Sequence, residues 1–225
     1  MIRGTQLEIT DELELDEDIR KAIEPYEKEL ENKVNEVLCF NPTILSREES
    51  ALESSLGNFY ADVCYETADR IFFPEAKEHI DFALFNYGGI RTAIPQGEVR
   101  VEHIFKLMPF ENKLVVARLS GEKVRELFQF LEKSKQAHPI SGLNLSMTND
   151  RLSRILISGK TFDASKEYLV LTHDYLQHGG DNMSFVKDPI ALYPLSYKVR
   201  DALIDHLRSI DTLRASIDGR FIQIN

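Results

Sequence analysis

Residues 80–91 read Ile80-Asp81-Phe82-Ala83-Leu84-Phe85-Asn86-Tyr87-Gly88-Gly89-Ile90-Arg91. The first six form a short, mostly apolar run that predicts a buried strand, and the last six a glycine turn that presents polar side chains. Gly179-Gly180-Asp181 answers this pattern downstream, after a second strand candidate at residues 168–172. A strand that runs into a glycine turn with one polar side chain on show is a usual way to build a small-molecule site, because the strand holds the turn in place.

Working outward from that stretch, residues 5–10 predict a short strand. Residues 16–38 place Ile19, Ile23, Tyr26, Leu30, Val34 and Val37 near helical spacing. Pro25 is set to kink or restart this helix, because proline lacks the donor for the preceding turn. A second helix is predicted over 49–69, with Leu52, Leu56, Phe59 and Val63 on one face, and a loop over 87–97. Residues 100–107 predict a short helix and 113–119 a strand; Ser120 then caps an amphipathic helix over 121–134 that turns Val124, Leu127, Phe128 and Leu131 inward. Strands follow at 143–147, 154–157 and 168–172, punctuated by Asn149-Asp150 and Gly159, and a last helix at 196–210 carries Val199, Leu203, Leu207 and Ile210. Helices and strands mix without regular alternation, which favours α+β over a doubly wound parallel sheet.

With 225 residues and 43% hydrophobic content the chain can bury a sizeable core, and one compact unit is the default. No internal repeat or low-complexity tract breaks it up. The net charge of −10, with Lys and Arg scattered rather than striped, excludes a binder of nucleic-acid backbones, which needs a concentrated basic face. Cys39 and Cys64 are too few for a disulfide framework and lack metal or redox spacing, so they read as buried thiols. No apolar run reaches the ~18 residues of a transmembrane segment. The N-terminus lacks a signal-peptide apolar core, which leaves a cytoplasmic protein and an exported one without its leader as alternatives.

Four motifs, in order, carry a family resemblance: Glu53-Ser54-Ser55-Leu56-Gly57-Asn58, Asn86-Tyr87-Gly88-Gly89-Ile90-Arg91, Met108-Pro109-Phe110-Glu111-Asn112 and Tyr175-Leu176-Gln177-His178-Gly179-Gly180-Asp181. Together they resemble the C-terminal, substrate-binding domain of the 5'-nucleotidase family, whose complete members add an N-terminal two-metal phosphatase domain. The resemblance implies an α+β fold of mixed sheets sandwiched by helices, layered α/β/β/α, over residues 41–225. Residues 1–40 then supply an N-terminal strand and a connector helix. It also implies that Asn86 lies near the base and Arg91 near the ribose and phosphate, with Gly88, Gly89 and Gly180 allowing close approach of the ligand. Phe110 and Tyr175 match the two aromatic positions that sandwich the base, and Asp181 matches an acceptor of ribose hydroxyls.

These residue types suit those roles. An amide offers both a donor and an acceptor to a base edge, a guanidinium offers a fixed fork of donors, and a carboxylate has four lone-pair sites. Tyr175 departs from the usual phenylalanine by adding a polar tip. A second departure is Leu52, where many relatives place an arginine just before the glutamate; Arg47 is the nearest such residue in sequence.

The resemblance stops short of catalysis. The family's phosphatase half depends on an Asp-x-His start, a Gly-Asp-x-x-Asp segment and a Gly-Asn-His segment, and none is present in these 225 residues. His173, Asp174, His178 and Asp181 invite a metal reading, but a glycine pair between ligands is no recognised metal spacing. Asp62, Glu66 and Asp69 read most simply as a solvated helix face. The expectation is therefore a nucleoside or nucleotide site with no catalytic residue, metal or cofactor of its own. Divalent metals would come with a partner metallophosphatase polypeptide, and the family suggests a periplasmic or cell-envelope setting. Two alternatives are a non-catalytic nucleoside-binding or scaffold protein, and a self-sufficient enzyme using groups such as His173 and Asp181.

Overall fold

A computed structural model describes Gly4 and residues 16–224, which fall into two units divided between Glu36 and Val37. In the first, helix α1 (Glu17–Val34) starts where the Asp16 carboxylate accepts hydrogen bonds from the Asp18 and Ile19 amides. The helix runs through Pro25 as one element, so proline does not restart it. The strand expected at residues 5–10 lies outside the described residues.

The second unit is built on a five-stranded mixed sheet. Its strands are β2 (Phe82–Leu84), β4 (Lys113–Ser120), β5 (Ile140–Ser141), β9 (Glu167–His173) and β10 (Ala191–Lys198), in the order β10-β4-β9-β2-β5. Strands β2 and β9 run parallel, with Phe82 opposite Val170, and the remaining neighbours are antiparallel. Alternation along each strand divides the side chains between two cores. Leu114, Val116, Leu169, Leu171 and Ala83 face one core, with α2 (Ser55–Ala76), α3 (Val101–Leu107) and α6 (Val199–Arg208). Ala117, Leu119, Val170, Phe82 and Leu84 face the other, with α4 (Gly121–Ser134) and a second sheet. That sheet has the order β11-β6-β7-β8, from β6 (Leu143–Thr148), β7 (Arg151–Ile157), β8 (Lys160–Thr161) and β11 (Phe221–Ile224). A two-stranded ribbon joins β1 (Val37–Asn41) to β3 (Gly97–Arg100).

The mixed, two-core architecture is the α+β fold expected. Helix α4 has the predicted bounds: Ser120 Oγ accepts from the Lys123 amide, and Val124, Leu127, Phe128 and Leu131 are buried, each contributing about 1.5–3 kcal/mol of hydrophobic stabilisation. Other boundaries shift for local reasons. Helix α2 begins at Ser55 rather than 49, because Glu49 and Ser54 are engaged at its start: the Ser55 amide donates to Glu49 and the Gly57 amide to Ser54 Oγ. Val37 and Leu38 belong to β1 instead of extending α1, and residues 196–198 belong to β10 instead of opening the last helix. Cys39 and Cys64 are free and buried. No described helix is long and apolar enough to cross a membrane.

Candidate functional site

The strand directions bring four chain segments to one end of the large sheet. Parallel β2 and β9 both finish there, delivering the turns that start at Asn86 and Asp174. Antiparallel β4 begins there, since Leu114 pairs with His173, and so places Phe110 and Asn112 beside them. Strand β5 also begins there, because Leu84 pairs with Ile140, which sets His138 against the glycine turn. A crevice beyond the carboxyl ends of parallel strands is a favoured ligand site in α/β sheets.

The result is a cleft of about 260 Å³ lined by Asn86, Gly88, Gly89, Arg91, Phe110, Asn112, Tyr175 and Asp181, on the scale of small-molecule clefts, which start at about 300 Å³. Of the predicted site residues, Gly180 alone does not line it. The Tyr175 ring lies where a Gly180 Cβ would be, so this glycine acts by letting the ring lie down. Gly89 is similarly constrained, since a Cβ there would sit 2.8 Å from Asn86 Oδ1.

A hydrogen-bonded chain forms the floor. Asn86 is buried; its Nδ2 donates to Asp181 Oδ2 at 2.6 Å, and its Oδ1 faces His173 Nε2 at 3.1 Å. Because the Asn86 oxygen can only accept, His173 must carry its proton on Nε2, which leaves Nδ1 to accept the Leu176 amide. His138 has the same tautomer: its Nδ1 accepts from the Tyr87 amide at 3.1 Å and its Nε2 meets Ser134 Oγ at 2.7 Å. Burial pushes both imidazoles down to about 4, so both rings are neutral at pH 7. They act as fixed dipoles behind the cleft.

At the rim the Tyr175 hydroxyl donates to Asp181 Oδ1 at 2.8 Å, and this bond with the aspartate charge raises the phenol's pKa. Asp181 itself sits at φ 50°, a left-handed conformation, after Gly179 at φ 89°. Phe110 and Tyr175 are 42% and 46% exposed, an unusual state for two aromatic rings on a single cleft. Arg91 lies at the exposed side, with Nη1 donating to the Gly88 carbonyl at 3.2 Å.

Besides His138, three contributors to the cleft were not predicted. Asn112 lines the cleft two residues after Phe110, within the quoted motif. Arg47 stacks its guanidinium 4.4 Å from the centre of the Tyr87 ring and donates to the carbonyls of Tyr87 and Ile90, so it braces the glycine turn from behind and does not line the cleft. Arg200, 5% exposed, donates to the carbonyls of Met108 and Phe110 and pairs with Glu111, fixing the loop that carries Phe110. Lys198 and Arg200 together hold the Glu111 carboxyl well down, to about 2.

Two sequence readings change. Asp62 and Asp69 are not a plain solvated face: Asp62 pairs with Arg220 at 2.7 Å, and Asp69 accepts the Ile80 amide at 2.8 Å. The Glu53 motif is architectural, since buried Glu53 accepts from Asn58 and from the Asp218 and Gly219 amides. Leu52, where the resemblance expects an arginine, is buried in the core to which α4 and the second sheet contribute. Among the described residues no group of three or more His, Cys, Asp or Glu is placed to hold a metal.

Comparison with known proteins agrees with this architecture. The 5'-nucleotidase, C-terminal domain, matches residues 34–188. The chain is 22% identical over 224 residues to an apyrase of Tabanus yao, covering 90% of this chain and 40% of that protein. It is 24% identical to the trifunctional nucleotide phosphoesterase protein YfkN of Bacillus subtilis, across 97% of this chain and 16% of that protein. The fold superposes on the 5'-nucleotidase precursor of Thermus thermophilus with a TM-score of 0.74 at 22% identity, covering 93% of this chain and 44% of that one. The chain thus spans less than half the length of these relatives. With the matched segment taking up more than half of its residues, this chain belongs to the family of 5'-nucleotidase C-terminal domains.

Proposed function

We propose that this chain is the nucleotide-recognition domain of a 5'-nucleotidase-type phosphoester hydrolase, holding the nucleoside while a two-metal phosphatase domain cleaves the phosphate. The observation that carries this reading is the pair of half-exposed rings, Phe110 and Tyr175, on a cleft whose floor is the Asn86–Asp181 hydrogen bond. Stacking on aromatic rings is worth about 1–3 kcal/mol per base and tolerates several bases. Asn86 and Asn112 offer amides to a base edge, Asp181 offers acceptors to sugar hydroxyls, and exposed Arg91 offers donors to a phosphate oxygen.

Apart from the Tyr175 phenol, which is bonded to Asp181, no hydroxyl, thiol, amine or imidazole lines the cleft. The chain's own contribution is therefore to bind and orient. Divalent metals, as Lewis acids that activate water, belong to the phosphatase; the described residues offer no ligand set for them.

Calorimetric titration of the purified chain with adenosine and AMP in EDTA, beside a phosphate-release assay in manganese, tests the reading. Binding without turnover is expected. Failure to bind either ligand would overturn the nucleoside site, and turnover by the chain alone would overturn the division of labour.

A further inference from the structure

Phe110 and Tyr175 stand on chain segments that are secured separately. Residues 108–112 are tied to the start of α6. Arg200 donates to the carbonyls of Met108 and Phe110, Lys198 and Arg200 both pair with Glu111, and the Val199 amide donates to the Asn112 carbonyl at 3.0 Å. Tyr175 belongs to α5 (Asp174–Gln177), a single turn that follows β9 directly. The register between β4 and β9 ends at the Leu114–His173 pair, just short of both rings.

Asp174 bridges the two segments at that point. One carboxylate oxygen, Oδ1, accepts the Lys113 amide at 3.1 Å and the Tyr175 amide at 2.8 Å. Among the described residues no other side-chain hydrogen bond joins residues 108–113 to residues 174–181. Both donors are main-chain groups and the acceptor is charged, which makes such a tie stronger than one between neutral side chains. Asp174 itself does not line the cleft.

The distance between the two rings decides what a clamp can gain. A gap of about 0.5–1 Å between a ring and a flat ligand forfeits a quarter to a half of the contact attraction. Phe110 and Tyr175 are each too exposed for packing behind them to set that distance, so it depends on how their backbones are joined. Resting on the reading of the cleft as a nucleoside site, we propose that Asp174 is a positioning residue of the clamp, whose Oδ1 sets the spacing of the Phe110 and Tyr175 faces for a planar base. Its role is exercised through the rings, without contact with the ligand.

The test is calorimetric titration of adenosine, in EDTA, into the wild-type chain, Asp174→Ala, Asp174→Asn, Phe110→Ala and the variant that combines Phe110→Ala with Asp174→Ala. Alanine removes the shared acceptor and should weaken binding about tenfold, the equivalent of one stacking face. Asparagine keeps an oxygen in its place as a neutral acceptor, and should stay within about threefold of the wild type. In the Phe110→Ala background the alanine substitution should cost less than about twofold, because a clamp with one face has no spacing to keep. An Asp174 that served the fold alone would shift affinity alike in both backgrounds. Should Asp174→Ala not fold, Asp174→Glu, which keeps the charge and moves the oxygens by one methylene, replaces it in both backgrounds with the same expectations. Unchanged affinity in Asp174→Ala, an equal loss with and without Phe110, or a loss in Asp174→Asn as large as that in alanine overturns the proposal. Failure of the wild type to bind adenosine is a different outcome: it removes the nucleoside reading itself, and this inference with it.

Discussion

Lowering the pH should weaken the fold through the two histidines behind the cleft. His138 is 5% exposed and His173 0% exposed, and burial moves both from about 6.5 down to about 4. In the unfolded chain each ring takes up a proton near pH 6.5, while in the folded chain each stays neutral. The unfolded state therefore binds more protons over that interval. Stability is complete above about pH 6.5 and is lost as the pH falls towards 4. Linkage gives a loss of about 1.3 kcal/mol per ring between pH 7.5 and 5.5, or about 2.5 kcal/mol for the pair. Urea denaturation at the two pH values measures this directly, provided that the slope with denaturant is unchanged. The His173→Gln variant keeps a side-chain donor and removes one titrating ring, so its loss should be about half that of the wild type. A wild-type loss below about 0.5 kcal/mol, or an undiminished loss in the variant, would refute the assignment of neutral buried rings.

Phe110→Ala and Tyr175→Ala should each weaken nucleoside binding about tenfold in calorimetry, the equivalent of one stacking face; unchanged affinity in both would sink the clamp. Gly180→Ala should have a similar effect of about tenfold by lifting the Tyr175 ring, with little change in melting temperature. Arg200→Met should cost about 2 kcal/mol of stability in denaturant unfolding, because it strands the Met108 and Phe110 carbonyls, whereas Glu111 remains exposed to water. Cys64 is fully buried and burial pushes its thiol pKa up, so a colorimetric thiol reagent should leave it unmodified until the chain unfolds.

Much of this was legible in the chain because local signals and tertiary structure agreed. The capping serine and apolar stripe of α4 gave its bounds, and the apolar runs before Asn86 and Asp174 gave the two parallel strands. The elements that escaped were those whose local signal was ambiguous. Val37 continues the helical spacing of α1 and yet pairs with Arg100 in β1. Strand β10 contains Pro194 and alternates between exposed and half-buried residues, so it gave no clean apolar pattern. In the cleft, the strand-to-turn grammar singled out residues that do come together. Arg47, His138 and Arg200 were invisible because their partners lie far off in the chain: Ile90, Tyr87 and Phe110 respectively. His173 looked like a ligand candidate from its neighbours, but its place at the end of a central strand turns it inward to orient Asn86.

Because Phe82 pairs with Val170, Asn86 and Asp181 meet only after most of the domain has been laid out between them. Parallel pairings of such distant segments are slow to form, since loop closure precedes any reward from contact. A nascent chain that has emerged as far as α4 already carries Phe110 and the glycine turn, and still has no clamp. Cutting the β6–β7 hairpin at its Asn149-Asp150 turn would leave one ring on each fragment. Neither piece could grip a base alone, and a nucleoside would favour their reassociation by mass action. On the proposed reading of the cleft, nucleoside binding would report complete folding, as a probe of the last long-range pairing rather than of any single segment.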